Sequence, residues 1–292
     1  MRFLSRPACV LALGACAALP APAASQVPLE VMTFNIRTAA GRDGDNAWVH
    51  RRELVVETIR GAAPDIIGMQ EALDEQIEYL DRMLPEHRWI GIDRGLNGGV
   101  GLSEYTPIFY RHAELSPIES GNFWLTDTPD VPPARPTGER RRRGGGRIVT
   151  WARFHHRASG RQIYVYNTHF TLRRGQSQLA SAELVASRVE SLPDDAPVVV
   201  LGDFNHDAEH SDTWQVATSR GLRDAWVEAP ETHGPAATYG DFGPPGPELT
   251  ERVDWILVAG PIDVHRVETV LHNDAGRFPS DHYPVTATIE VR

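Results

Sequence analysis

Short apolar runs in this chain repeatedly end in acids, amides and imidazoles. PVVVLGDFN (residues 197–205) sets three valines and a leucine before Gly202, Asp203, Phe204 and Asn205. LEVMTFNIR carries Asn35, IIGMQEA carries Gln70 and Glu71, and QIYVYNTHF closes on Asn167, Thr168 and His169. RVDWILV opens at Asp254, and HYPVTATIEV follows Asp281 with His282 at its head. Runs of this length and β-branched content read as buried strands. TPIFYR, IVTWARFHH and HRVETVLH read the same way, while RRELVVETIR, SQLASAELVASRVESL and SDTWQVATSRGL read as helices. Strands and helices alternate early and strands adjoin later, which predicts a mixed sheet, or two sheets, covered by helices. Polar groups at the ends of several strands then meet at one rim, where binding sites form.

Each polar terminus alone has an ordinary structural explanation: Asn35 as a turn cap, Glu71 as a helix start, GDFN as an Asx-turn after a buried strand. Together they are carboxylates, amides and imidazoles without a thiol, a set suited to a hard cation such as Mg²⁺, Mn²⁺ or Ca²⁺. The only cysteines are Cys9 and Cys16, so the rest of the chain has no disulfide and no thiolate site. No lysine is present and all 29 basic residues are arginine, which excludes Schiff-base chemistry. A formal charge of −10 is unsuited to gripping long nucleic acid by general attraction. No G-x-S-x-G elbow is present, which sets aside a serine hydrolase.

Residues 1–25 have a secretory signal layout: Arg2 and Arg6, a short apolar run, then small residues with proline. Two readings stay open. Cleavage after Ala21–Ala23 releases a soluble exported protein, or the lipobox-like Leu13–Cys16 places a lipid on Cys16 and ties the chain to a membrane. Residues 26–292 are expected to form one domain, and a monomer. The tract TPDVPPARPTGERRRRGGGR (128–147) reads as a solvated surface loop, with Arg140–Arg143 gathering phosphate as the sharper alternative. Trp48, Trp124, Trp151 and Trp255 read first as core, with Trp124, in a loop-rich segment, the best candidate among them for a substrate wall.

VMTFNIR, IIGMQEA, YNTHF, VLGDFN, RVDWILV and PSDHYPV, in this order and spacing, resemble the endonuclease/exonuclease/phosphatase (DNase I-like) family from about residue 29 to the C-terminus. The resemblance implies an α+β fold, a four-layer αββα sandwich, with the site at one end of the sheets. It implies hydrolysis of a phosphoester by a divalent metal, Mg²⁺ first. Glu71, with Asn35 and Asp281, would hold the metal. Asp203 and Asn205 would orient the attacking water, and His282, oriented by Asp281, would take its proton or stabilise developing charge. His169 would donate to the phosphate, supported by Glu104, and Asp254 would complete the acidic cluster. The expected substrate is a small or lipid-linked phosphate. A secreted DNase I-like nuclease is the alternative, and a non-catalytic surface binding protein on the same scaffold the second.

Overall fold

Two β-sheets form the centre of the structure, a computed structural model that describes residues 27–95, 103–132 and 146–292. The segment read as an export signal, with Cys16, and the Arg140–Arg143 tract lie outside the described residues. With elements numbered in chain order, the first sheet runs β10 (Glu231–His233), β12 (Ile262–Thr269), β13 (Val285–Val291), β1 (Leu29–Asn35), β2 (Ile66–Gln70), β4 (Ile108–Arg111), β3 (His87–Ile90). The second runs β5 (Leu115–Trp124), β6 (Ile148–His156), β7 (Gln162–His169), β8 (Val198–Asp203), β11 (Asp254–Ala259), β9 (Arg223–Asp224). Both sheets are mixed. β1 pairs with β2 in parallel and with β13 antiparallel, while β8 pairs with β7 in parallel and with β11 antiparallel.

The continuous apolar runs follow from burial on both faces of each strand. Val31, Ile66, Val199, Leu201, Ile256 and Ile289 point between the sheets. Their neighbours Met32, Phe34, Ile67 and Met69 face the other way, against Val55 and Ile59 of helix α1 (Trp48–Ala62) and Ile77 and Leu80 of α2 (Asp74–Met83). On the opposite side Val198, Val200 and Leu257 meet Ala182, Val185 and Ala186 of α3 (Gln176–Glu190) and Ala217 of α4 (Asp212–Thr218). The layers are therefore helix, sheet, sheet, helix, as expected. A further short helix, α5 (Ala225–Glu228), packs beside β11.

A polar tie crosses between the sheets behind the rim. Gln70 Nε2 donates to Asn167 Oδ1 (2.7 Å), and Asn167 Nδ2 donates to the carbonyls of Met69 (2.7 Å) and Pro107 (2.8 Å). Gly68 makes room for this amide: a Cβ there would lie 2.7 Å from Asn167 Oδ1. Gln70 and Asn167 thus fix the two sheets relative to each other one or two residues before Glu71 and His169.

Candidate active site

Strand register brings the polar termini together. His169 on β7 lies beside Asp203 on β8 in parallel register, and Asp203 lies opposite Asp254 on β11. Asn35 ends β1 beside Gln70 on β2, one residue before Glu71. Asn35 Nδ2 closes the gap between the sheets by donating to Asp203 Oδ2 (2.9 Å) and Glu71 Oε1 (3.3 Å). Arg37, Glu71, His169, Asp203, Asn205, Asp281 and His282 all line one cleft of about 500 Å³. Three of them are non-glycine residues with positive φ: Arg37 (54°), Glu71 (61°) and Asn205 (51°). Such conformations cost energy and collect at functional sites.

His282 faces two carboxylates. Its Nδ1 makes a 2.8 Å hydrogen bond with Asp254 Oδ2, and its Nε2 lies 3.9 Å from Asp203 Oδ2. This corrects the expectation that Asp281 orients the ring. Asp281 instead accepts from Ser280 Oγ (3.1 Å), and its Oδ2 faces Arg37 Nη1 at 3.5 Å. Adjacent side chains on an extended segment point apart, so Asp281 and His282 address different partners. Burial alone would depress the His282 pKa, but Asp254 and Asp203 outweigh it and hold the imidazole well above its ordinary value. Burial also pushes the Asp203 carboxyl up to about 7, against the pull of the His282 charge and with the Asp254 carboxylate adding to the rise.

His169 Nε2 lies 3.4 Å from Asp203 Oδ2. Burial, reinforced by the charges of Arg147 and Arg94, holds this imidazole well below its ordinary pKa, so it is neutral at pH 7. Glu104 does not support it as expected. Among the described residues no hydrogen bond joins the two, and Glu104 pairs with Arg94 at 3.1 Å. Asn205 donates its backbone N–H to Asp203 Oδ1 (2.9 Å) and its Nδ2 to the Phe170 carbonyl (2.9 Å), which fixes the Asp203 carboxylate. Trp124 is no substrate wall: it ends β5, is buried, and donates Nε1 to the Arg94 carbonyl (3.1 Å).

The donor set suits a hard cation. Glu71 and Asp281 present carboxylates to the cleft, and oxygen donors of this kind match Mg²⁺, which uses one or two carboxylates and leaves positions for water and phosphate. Asn35 donates its amide hydrogens to Glu71 and Asp203, and its Oδ1 accepts the Arg37 N–H (3.0 Å), so here it aligns the carboxylates and does not present its oxygen. Asp203, Asp254 and His282 also lie within cation-binding distance of one another. Within that trio Asp254 Oδ2 is already engaged by His282 Nδ1.

Sequence reasoning passed over Arg51, which is fully buried on α1. Its guanidinium donates to the carbonyls of Ile36 (2.6 Å), Arg37 (2.7 Å), Asn46 (2.9 Å) and Pro279 (2.9 Å). It thereby ties the loop after Asn35 to the turn that presents Asp281 and His282. Its signal in the sequence was weak, because an arginine in a helix is read as solvated. Arg51→Met should cost roughly 3–4 kcal/mol, since it strands buried carbonyls. A urea midpoint shift that, multiplied by an unchanged slope, gives less than a third of that amount would reduce Arg51 to a bystander.

The sequence profile of the Endonuclease/Exonuclease/phosphatase family matches residues 32–282. The chain belongs to this family. An endonuclease/exonuclease/phosphatase from Bacteroides vulgatus is 31% identical with a TM-score of 0.82, over 91% of this chain and 100% of that one. A mannosyl-6-phosphatase from Bacteroides thetaiotaomicron is 28% identical with a TM-score of 0.80, over 89% of this chain and 99% of that one. An uncharacterized protein of Acanthamoeba polyphaga mimivirus is 29% identical over 170 residues, 55% of this chain and 60% of that protein's length. Family membership makes phosphoester hydrolysis the chemical class and divalent-metal use the general rule of the fold.

Proposed function

We propose that this protein is a metal-dependent phosphatase of a small phosphorylated molecule. The observation that supports this most is the convergence of Glu71 and Asp281 with Asp203, His169 and His282 on one cleft of about 500 Å³. That volume lies toward the small end of ligand sites. The likeness to a mannosyl-6-phosphatase makes sugar phosphates the first class to test. Glu71 and Asp281 would hold the cation, whose contribution when bound is Lewis-acid neutralisation of charge on the phosphoryl group. Asp203, with a carboxyl near 7, is placed to orient the attacking water and accept its proton. His282, protonated through its contacts with Asp254 and Asp203, offers Nε2–H to a phosphoryl oxygen as negative charge develops. Neutral His169 offers a second donor. This reading moves the base role from the imidazole to the carboxylate.

The deciding assay uses the purified protein with Mg²⁺, Mn²⁺ or Ca²⁺ on p-nitrophenyl phosphate, bis-p-nitrophenyl phosphate, hexose 6-phosphates, plasmid DNA and RNA. Metal-dependent release of phosphate from monoesters, at least tenfold faster than from the diester or the nucleic acids, is expected. Dominant cleavage of DNA would replace the proposal with a nuclease.

A further inference from the structure

The proposed chemistry uses only the inner half of the cleft. The same cleft is also lined by Leu172, Arg174, Tyr239, Glu248, Leu249 and Glu251, which that chemistry does not use and which we call its outer half. We infer that these residues form a leaving-group subsite for an uncharged, hydroxyl-bearing ring, an inference that rests on the phosphatase reading above.

Chain continuity keeps this subsite close to the reacting groups. Leu172 follows His169 by three residues, and Glu251 precedes Asp254 by three, a reach of at most about 10 Å on either side. The second wall is anchored. Glu251 accepts the Thr238 N–H (3.1 Å) through its carbonyl, Leu249 N–H meets the Gly246 carbonyl (3.3 Å), and Tyr283 Oη donates to the Gly243 carbonyl (2.6 Å). An ion pair between Arg174 and Glu251 (2.5 Å) joins the two walls.

The chemistry of the lining selects the occupant. Glu251 already neutralises Arg174, and Glu248 leaves the outer half with an excess negative charge. A second phosphate on the leaving group would meet these carboxylates, so polyphosphates and nucleic acid are disfavoured. Carboxylates accept from hydroxyls, and the Arg174–Glu251 pair is half exposed on both sides, so its groups reorganise at little cost. Leu172 is 74% exposed and Leu249 half-buried, an apolar surface suited to the C–H face of a ring. Tyr239 packs edge-on against His282, with ring centroids 5.2 Å apart, and links this subsite to the inner one.

The test compares glucose 6-phosphate with fructose 1,6-bisphosphate in the Mg²⁺-loaded protein. Wild-type kcat/KM should favour the monophosphate at least tenfold, and E248Q/E251Q should shrink that ratio at least fivefold. Calorimetric binding of both compounds to Mg²⁺-loaded H282A should show the same preference without turnover. A ratio near one in wild type, or one unmoved by E248Q/E251Q, overturns the subsite while hydrolysis leaves the phosphatase reading intact. Selective binding without hydrolysis of any monoester by wild type overturns the phosphatase reading and leaves the subsite as a binding site.

Discussion

His282→Ala should lower kcat by about two to four orders of magnitude, the range expected when a charge-stabilising or proton-transferring group is removed. Asp254→Asn should also lower it, because the amide favours the wrong tautomer and no longer stabilises imidazolium on the 2.8 Å bond to Nδ1. The double variant should be little slower than His282→Ala alone, since Asp254 acts through the ring it holds. Multiplicative losses would give Asp254 an independent role and remove it as the orienting group. The pH profile separates the partners further. With Asp203 as base, activity falls as pH drops through about 7, and with His282 as imidazolium it falls again above that ring's raised pKa. Asp254→Asn removes a raising influence and should move the alkaline limb down. Movement of the acid limb alone would return the base role to His282.

The same pairing bears on stability. Because folding raises the His282 pKa, its contribution is fully present below the unfolded value of about 6.5 and is lost as pH rises through the folded value.

The sandwich was legible because burial on both strand faces writes unbroken apolar runs, and because its strands end in groups a core would not tolerate. β5 was not legible. Its segment up to Trp124 read as loop-rich, yet an edge strand accepts a proline such as Pro117, and the register shifts there by a bulge between Pro117 and Glu119. That misreading also turned the buried Trp124 into a candidate substrate wall. The site's members were legible as residue types, but their pairings were not. Adjacency in PSDHY suggested that Asp281 serves His282. The actual partner comes from β11, brought beside β8 by a register that no local motif encodes. Glu104 and His169 failed for a similar reason, since Arg94, 10 residues upstream, takes the carboxylate. Burial and pairing are tertiary quantities, and they decide which of two neighbouring carboxylates meets an imidazole.

Glu71→Gln should lower activity at least as much as loss of the imidazole. Neutralising charge on a phosphoryl group is worth several kcal/mol, which corresponds to about 10²–10⁴ in rate. The substitution keeps the shape and one acceptor oxygen, enough for the Thr38 N–H (3.0 Å), and gives up only the longer contact with the Asn35 amide (3.3 Å), so the fold should hold while the charge is lost. Mg²⁺ affinity measured by calorimetry should fall in parallel, and high metal should restore part of the rate. Asp281→Asn should behave like Glu71→Gln, raising the metal requirement, whereas Asp254→Asn should shift the pH profile and leave that requirement in place. This contrast tests the division between two aspartates that both flank His282, one adjacent in sequence and one on the opposite sheet. Unchanged turnover of Glu71→Gln at saturating substrate and low Mg²⁺ would remove Glu71 from metal binding. An unchanged metal requirement in Asp281→Asn would leave that residue its contacts with Arg37 and Ser280.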